Sequence, residues 1–533
     1  MPAIPKRAVP RVNQPATIPS PVGGLNARDT LITMKPEDAP LLKNMIVEPY
    51  GVGVRRGYIE HATGLAGEVQ TILTWVSGTG SKMWAVLDNS TIRWMKEITT
   101  ADDYTGDPAD ISGLATAQWR QTQFANSAGQ HMVAVSGFDN PIVYNATAGL
   151  TRLTLGDGVT PYTIAGVNPN LFISVCIHQK RLWFVEKNTM KGWYLPTDAV
   201  YGTVTKFDFG PIFDKGGYLV GIFTWSKDTG GGPQNSLVVV TSEGQLAIYA
   251  GIDPASASTW ALTSVNFIGA PVGYNFGANT SGDLLLLTEQ ALISLNLATQ
   301  DAEIGMDSSR QLSAKIQRLL AVTLSGNQDE YGWQVIEYPA LNLVLLNTPT
   351  TDSGIFQFAG QSVTKAWSTL EGFDALCWRL FRQDMFFGTA DGVVYQGLTG
   401  FLDGVALDGS GGSAIEFEAQ QAFSILEHSG PKYVSMVRPS IVSGAIPNIL
   451  VGVLFDYNVE TVFGDLAIAA VDAAFWDADL WDSGLWGSGL LVNREWTTVG
   501  GEGYACSIRL RGRATDETFW IATDWIFTPG AGL

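Results

Sequence analysis

Trp84-Ala85-Val86-Leu87-Asp88-Asn89-Ser90-Thr91-Ile92-Arg93-Trp94 reads as strand, Asp-Asn turn, strand. Apolar residues lead into a pair that bonds its own backbone and tolerates a left-handed conformation, and apolar residues resume beyond it. The same form returns three times. Leu237–Val240 and Gln245–Tyr249 flank Thr241-Ser242-Glu243-Gly244; Leu284–Leu287 and Leu292–Leu295 flank Thr288-Glu289-Gln290-Ala291. Met385-Phe386-Phe387-Gly388-Thr389-Ala390-Asp391-Gly392-Val393-Val394-Tyr395 is the fourth. Bulky residues partly alternate with others in Arg181–Val185 and Gly244–Tyr249, the period of a strand. Repeated hairpins at intervals of tens of residues predict a β-propeller, whose four-stranded blades take about 40–45 residues each. Residues 61–400 then hold about six to eight blades.

A cluster of turns at Leu398–Ser413, with Asp403-Gly404, Asp408-Gly409 and Gly411-Gly412, ends this pattern. Longer apolar runs follow at Ala414–Ile425, Lys432–Val442, Ile449–Tyr457, Glu495–Val499, Ala505–Gly512 and Thr518–Phe527. They predict a β-sandwich or barrel-like domain over 401–533. Residues 1–21 carry Pro2, Pro5, Pro10, Pro15, Pro19 and Pro21 and no aromatic, which predicts an extended arm that is either loose or laid on a neighbouring subunit. Pro36 and Pro40 each suit a helix start, so a short kinked helical turn is expected near 36–45, within an N-terminal segment of 1–60.

Composition agrees with an all-β chain. Fifty-nine glycines, 11% aromatics and frequent Thr and Val favour strands and tight turns. At 46% hydrophobic and 16% charged, the 533 residues can bury two or three cores. A net charge of −19 repels phosphate, which argues against tight nucleic-acid binding while permitting DNA to slide past an acidic wall. Cys176, Cys377 and Cys506 are too sparse for a disulfide framework or a zinc site and suit a reducing cytoplasm. No leader is expected, and no apolar run approaches the roughly 20 residues of a membrane span.

Pro21-Val22-Gly23-Gly24-Leu25-Asn26-Ala27-Arg28-Asp29, then Met34-Lys35-Pro36-Glu37-Asp38-Ala39, then Leu41-Leu42-Lys43-Asn44-Met45, form an ordered block, continued by Arg55-Arg56-Gly57-Tyr58. This block resembles the N-terminal signature of the tail-tube, or nozzle, proteins of short-tailed bacteriophages. Phe475-Trp476-Asp477-Ala478-Asp479-Leu480-Trp481-Asp482-Ser483-Gly484-Leu485-Trp486-Gly487 resembles the Trp-Asp-rich segment near their C-terminus. Trp183–Tyr194, Gly216-Gly217-Tyr218, Trp225–Gly232 and Phe386-Phe387-Gly388-Thr389 follow in a similar order. The resemblance implies a structural virion protein: a homo-oligomeric ring, of six copies, below the portal-bound adaptor, meeting other tail proteins and continuing the DNA ejection channel. It implies assembly in a bacterial cytoplasm and residence in the phage tail.

No motif argues for an enzyme, and no catalytic, cofactor-binding or metal-binding residue is expected. Ser226-Lys227-Asp228-Thr229-Gly230 has the front of a sialidase Asp box without its Thr-Trp, and the box is a turn device in any case. Asp477, Asp479 and Asp482 are interleaved with tryptophans where a calcium loop needs its glycine turn. Gly78-Thr79-Gly80-Ser81-Lys82 lacks the spacing and the following helix of a phosphate loop and reads as a hairpin turn. His61, His131, His178 and His428 show no metal-pair spacing. Two sets remain as interface candidates toward a subunit or the adaptor. Trp476, Trp481 and Trp486 could pin a loop into a neighbour's groove. Arg509, Arg511 and Arg513 share one face of a strand, ready for local acids, for an acidic rim of another subunit or for a brief DNA contact. The alternative readings are a glycan-binding or glycan-cleaving tail propeller and a non-enzymatic receptor-binding protein.

Overall fold

The structure is a computed structural model that describes residues 13–90, 92–228, 233–280, 282–300, 311–349, 354–460, 463–465 and 490–530. It is an all-β chain with a β-propeller body. Five radial antiparallel sheets stand separately. The first contains Glu68–Ser77, Gly80–Asp88, Arg93–Glu97 and Ile111–Leu114; the second, Arg120–Asn126, Gly129–Val135, Ile142–Asn145 and Gly149–Arg152. The third contains Phe172–His178, Arg181–Glu186, Lys191–Tyr194 and Thr205–Asp208; the fourth, Leu219–Asp228, Pro233–Thr241, Gln245–Gly251 and Trp260–Phe267. The fifth has three strands, Gly277–Thr280, Asp283–Leu287 and Leu292–Ser294.

Two more blades belong to a fifteen-stranded sheet. The sixth is Gln334–Tyr338, Leu343–Asn347, Phe356–Gln361 and Trp367–Glu371. The seventh takes Cys377–Phe381, Asp384–Gly388 and Val394–Gly397 from late in the chain and its outer strand, Tyr58–Thr63, from before the first blade. That exchange closes the ring by backbone hydrogen bonds between chain-distant segments. All four hairpins expected from the sequence are present, with Leu87 opposite Trp94, Val239 opposite Ala247, Leu286 opposite Ile293 and Phe387 opposite Tyr395.

Each blade is buried on both faces, which explains why the alternation is only partial in the sequence. In the strand Gly80–Asp88, Met83, Ala85 and Leu87 pack with Phe381, Phe386 and Val394 of the seventh blade. Their alternates Trp84 and Val86 pack with Met132, Ala134 and Tyr144 of the second. A sheet sandwiched between two others reads as a nearly continuous apolar run. Gly78-Thr79 is the turn between the first two strands of the first blade, and Lys82 pairs with Glu97 at 2.9 Å.

Beyond Gly397 the chain builds a β-sandwich. One sheet holds Lys432–Ser443 and Thr518–Pro529 at its centre; the other holds Gly411–Gln420, Cys506–Ala514 and Asn448–Phe455. Phe417, Ile449, Ile508 and Leu510 share one core with Val437, Ile441, Trp520 and Trp525. That core also contains fourth-, fifth- and sixth-blade residues such as Val238, Leu286 and Leu346, so propeller and sandwich are packed as one body.

Gln14–Pro19 is extended, as its prolines predict, but its partner and the rest of the N-terminal segment depart from expectation. Gln14–Pro19 pairs along its whole length with Thr518–Pro529 of its own sandwich, and Met45–Glu48 with Gly51–Val54 extends the same sheet. The helical turn expected near 36–45 is not formed; Asp38–Ala39 and Leu41–Lys43 are strands. Local proline preference lost to tertiary pairing, because Leu41–Lys43 bridges the sixth blade and the sandwich, with Lys43 opposite both Thr369 and Glu418. Among the described residues α-helices are confined to the fifth-blade region, at Leu295–Gln300 and Gln317–Leu324.

Candidate functional site

The ordered N-terminal block forms the joint between the two domains. Gly24–Leu25 pairs in parallel with Asp38–Ala39. The Asn26 amide donates to Asp29 at 2.9 Å and to the buried Asp38 at 2.8 Å, while its carbonyl oxygen accepts from the backbone N–H of Arg28 and Asp29. Lys315 closes the knot, its ammonium 2.7 Å from Asp38 and 2.7 Å from the Gly23 carbonyl. Hydrogen bonds from Arg28 and then Asn26 hold the Asp29 carboxyl down to about 2.

Arg55 is the second clamp. It is 1% exposed and meets Asp403 through two 2.7 Å bonds. Its remaining donors reach the Asn44 side chain at 3.0 Å and the carbonyls of Arg56 and Glu371 at 3.0 and 2.7 Å. Its guanidinium lies 4.2 Å from the Phe373 ring centroid. Asn44, with φ +55°, also accepts from the Glu371 N–H and donates to the Glu416 carbonyl. The block thus ties the sixth blade, the entry to the seventh and the sandwich at one point.

The first strands of all seven blades line an axial cavity of about 530 Å³. Side chains stitch these strands where backbone pairing is absent. Gln121 donates to the Thr74 carbonyl at 3.0 Å and accepts from the Thr74 N–H at 2.7 Å. Gln334 does the same for Trp378, at 2.8 Å both ways. Arg120 spans the axis, bonding the carbonyls of Val220 at 2.6 Å and Tyr274, with its guanidinium 4.4 Å from the Tyr274 ring centroid. Arg379 donates to the Thr74 hydroxyl at 3.3 Å. Burial pulls Arg120 below its usual range and Arg379 down to about 10, and pushes Tyr274 up to about 12. At neutral pH both guanidiniums are charged and the phenol keeps its proton.

Sequence reasoning missed these arginines, although a signal existed. Both follow a tryptophan buried within a blade, Trp119 and Trp378, and alternation turns the next residue toward the axis.

Of the interface candidates, Trp476, Trp481 and Trp486 lie outside the described residues. Arg509 and Arg513 meet acids of the neighbouring strand: Arg509 to Glu418 at 2.8 Å and Arg513 to Glu416 at 2.5 Å. Arg511 stands exposed between them, beside a groove of about 320 Å³ shared with Lys43, Glu416 and Glu418. The Arg513 pair is 66% and 64% exposed, so Arg513→Gln should change unfolding free energy by no more than about 0.5 kcal/mol. Arg509→Gln, at the half-buried pair, should cost about 1 kcal/mol or more. Urea denaturation of the two variants checks the contrast.

Residues 225–228 of the partial Asp box continue a strand, and 229–232 lie outside the described residues. Among the described residues no group of three or more His, Cys, Asp or Glu could hold a metal, and no helix is long and apolar enough to cross a membrane.

Fold and joint together define a β-propeller locked to a β-sandwich. No family model matches the sequence, and no curated protein matches it. Among solved structures the chain is similar to Raptor of Chaetomium thermophilum, at 10% identity and TM-score 0.36, over 65% of this chain and 29% of that one. It is also similar to the β-propeller domain of Cps50 (Swd1) of Myceliophteria thermophila, at 11% identity and TM-score 0.38, over 64% and 99% respectively. The match therefore spans less than a third of the Raptor chain. The propeller assignment rests on this chain's own strand pairing.

Proposed function

We propose that this chain is a structural virion protein, the nozzle of a short-tailed phage, working as copies assembled into a ring of six below the portal-bound adaptor. The observation that carries the reading is the joint. The residues that resemble the nozzle signature, from Pro21 to Tyr58, are the ones that clamp propeller to sandwich through Asn26, Asp38 and Arg55. A tube wall needs its two domains held in one pose, and a signature spent on that clamp suits a mechanical part.

The propeller axis is not the DNA passage. A duplex, whose major groove alone is about 12 Å wide, has no way through a cavity of about 530 Å³ bridged by Arg120. The bore belongs between copies, and a chain of net charge −19 gives it a wall that does not hold phosphates. Head-to-tail contacts whose rotation closes generate such a ring. Arg511, exposed on an otherwise ion-paired strand, is the described residue we assign to those contacts or to the adaptor.

The glycan-cleaving alternative gains nothing from the axial cavity. That chemistry needs two carboxylates, about 5–10 Å apart, and the described lining holds one, Glu337. Light scattering and negative-stain images of the protein mixed with its adaptor test the proposal. A ring on the adaptor is expected, and Arg511→Glu should weaken its formation while leaving the monomer folded. A strict monomer that never joins the adaptor, or absence of the chain from purified virus particles, ends it.

A further inference from the structure

The axial cavity has a charge balance opposite to that of the whole protein. Its described lining contains two guanidiniums, Arg120 and Arg379, against the single carboxylate of Glu337, in a chain of net charge −19. Neither arginine has a carboxylate partner among the described residues. Arg120 bonds only carbonyl oxygens, and Arg379 is held by the Thr74 hydroxyl through Nε alone. A guanidinium carries five N–H donors, so most of those on Arg379 are uncommitted. The Tyr274 hydroxyl, on the same lining, is buried and without a hydrogen-bond partner.

Cations without a carboxylate partner and an unsatisfied buried hydroxyl are costly in a half-buried cavity. Buried charge is normally neutralised by a partner, and here the protein supplies too little negative charge. Thr74 links the two neighbourhoods. Its hydroxyl meets Arg379 on one side and, at 3.0 Å, the Gln121 amide on the other, and Gln121 directly follows Arg120.

We propose that the propeller axis binds a small oxyanion, with Arg379 as its principal ligand and Arg120 and the Tyr274 hydroxyl as further donors. The planar guanidinium suits a carboxylate or phosphate group through paired N–H bonds. The anion completes the centre where the seven blades meet, in place of the backbone pairing that their first strands lack across the axis. This inference is independent of the nozzle reading, since it concerns the interior of a single chain.

Isothermal titration calorimetry of the full chain with inorganic phosphate and, separately, with malonate tests it and distinguishes the tetrahedral from the planar oxyanion. Saturable binding of at least one of them to the wild type is expected. Arg379→Gln should weaken it by about tenfold or more, the equivalent of losing a charged hydrogen bond. Lys206→Gln, exposed on the outer strand of the third blade and away from the cavity lining, should bind as the wild type does. Should Arg379→Gln fail to fold, Tyr274→Phe keeps the ring against Arg120 and removes only the hydroxyl; it should weaken binding several-fold. Absence of saturable binding of either anion to the wild type overturns the proposal. Unchanged affinity in a folded Arg379→Gln or Tyr274→Phe variant overturns it equally.

Discussion

Arg55→Ala is expected to cost about 3–5 kcal/mol of folding free energy, the range for breaking a buried ion pair from one side. Asp403, only 15% of whose side chain is exposed, loses both 2.7 Å bonds. The Glu371 carbonyl loses its Arg55 donor, and the Phe373 ring loses the cation stacked on it. Against a total stability of roughly 5–15 kcal/mol for a folded domain, this is a large fraction. Arg55→Lys should rescue little, because an ammonium cannot make the paired contact with Asp403 while reaching Asn44 and Glu371. The double variant Arg55→Met/Asp403→Leu should recover much of the loss, since an apolar pair of similar volume removes both desolvated charges. Urea denaturation of wild type, Arg55→Met, Asp403→Leu and the double variant gives the coupling energy. A single Arg55→Ala variant within 1 kcal/mol of wild type would show that the clamp does not hold the domains.

Gly24→Val should be nearly as damaging, by about 2–5 kcal/mol. Gly24 has φ +77°, a left-handed conformation that a β-branched residue resists. Space is short as well. A β-carbon there would sit 2.8 Å from the Ala366 β-carbon and 2.8 Å from the Trp367 backbone nitrogen. The Trp367 backbone has little freedom to move aside, because Trp367–Glu371 is the outer strand of the sixth blade and pairs with Phe356–Gln361. Gly78→Ala is the matched control: its β-carbon would meet nothing within 4 Å, and the change should stay within about 0.5 kcal/mol. Comparing denaturation midpoints decides it. Equal effects at the two glycines would remove Gly24 from the joint.

Much of the fold was legible in the sequence. The hairpins at 84–94, 237–249, 284–295 and 385–395 lie where apolar runs, turn residues and spacing put them. Longer strands do follow the glycine-rich turns after Leu398. The arginine strand was legible as a shared face, and two of its members have local acids as partners. The extended backbone of residues 14–19 was legible from the prolines, but its partner and the strands at 38–43 were not, because proline spacing reports only local preference. Nothing in residues 14–19 says that they run beside 522–527, half a thousand residues away. The axial arginines were hidden for a related reason: each is an ordinary residue of its own strand, and their nearness exists only once the ring closes.

The chain's own order of residues determined what local physics can determine: strand period, turn chemistry, an acidic surface and a division into short-bladed and long-stranded parts. Closure of the ring by Tyr58–Thr63, the weave of residues 14–54 into the sandwich, and the gathering of Arg120, Arg379 and Tyr274 about one axis were decided by the tertiary structure alone. Hydrogen bonding between neighbours in sequence acts within a few residues and leaves a pattern there. Pairing across hundreds of residues depends on which edges and cations remain unsatisfied after the local elements form, and only the assembled molecule reveals that.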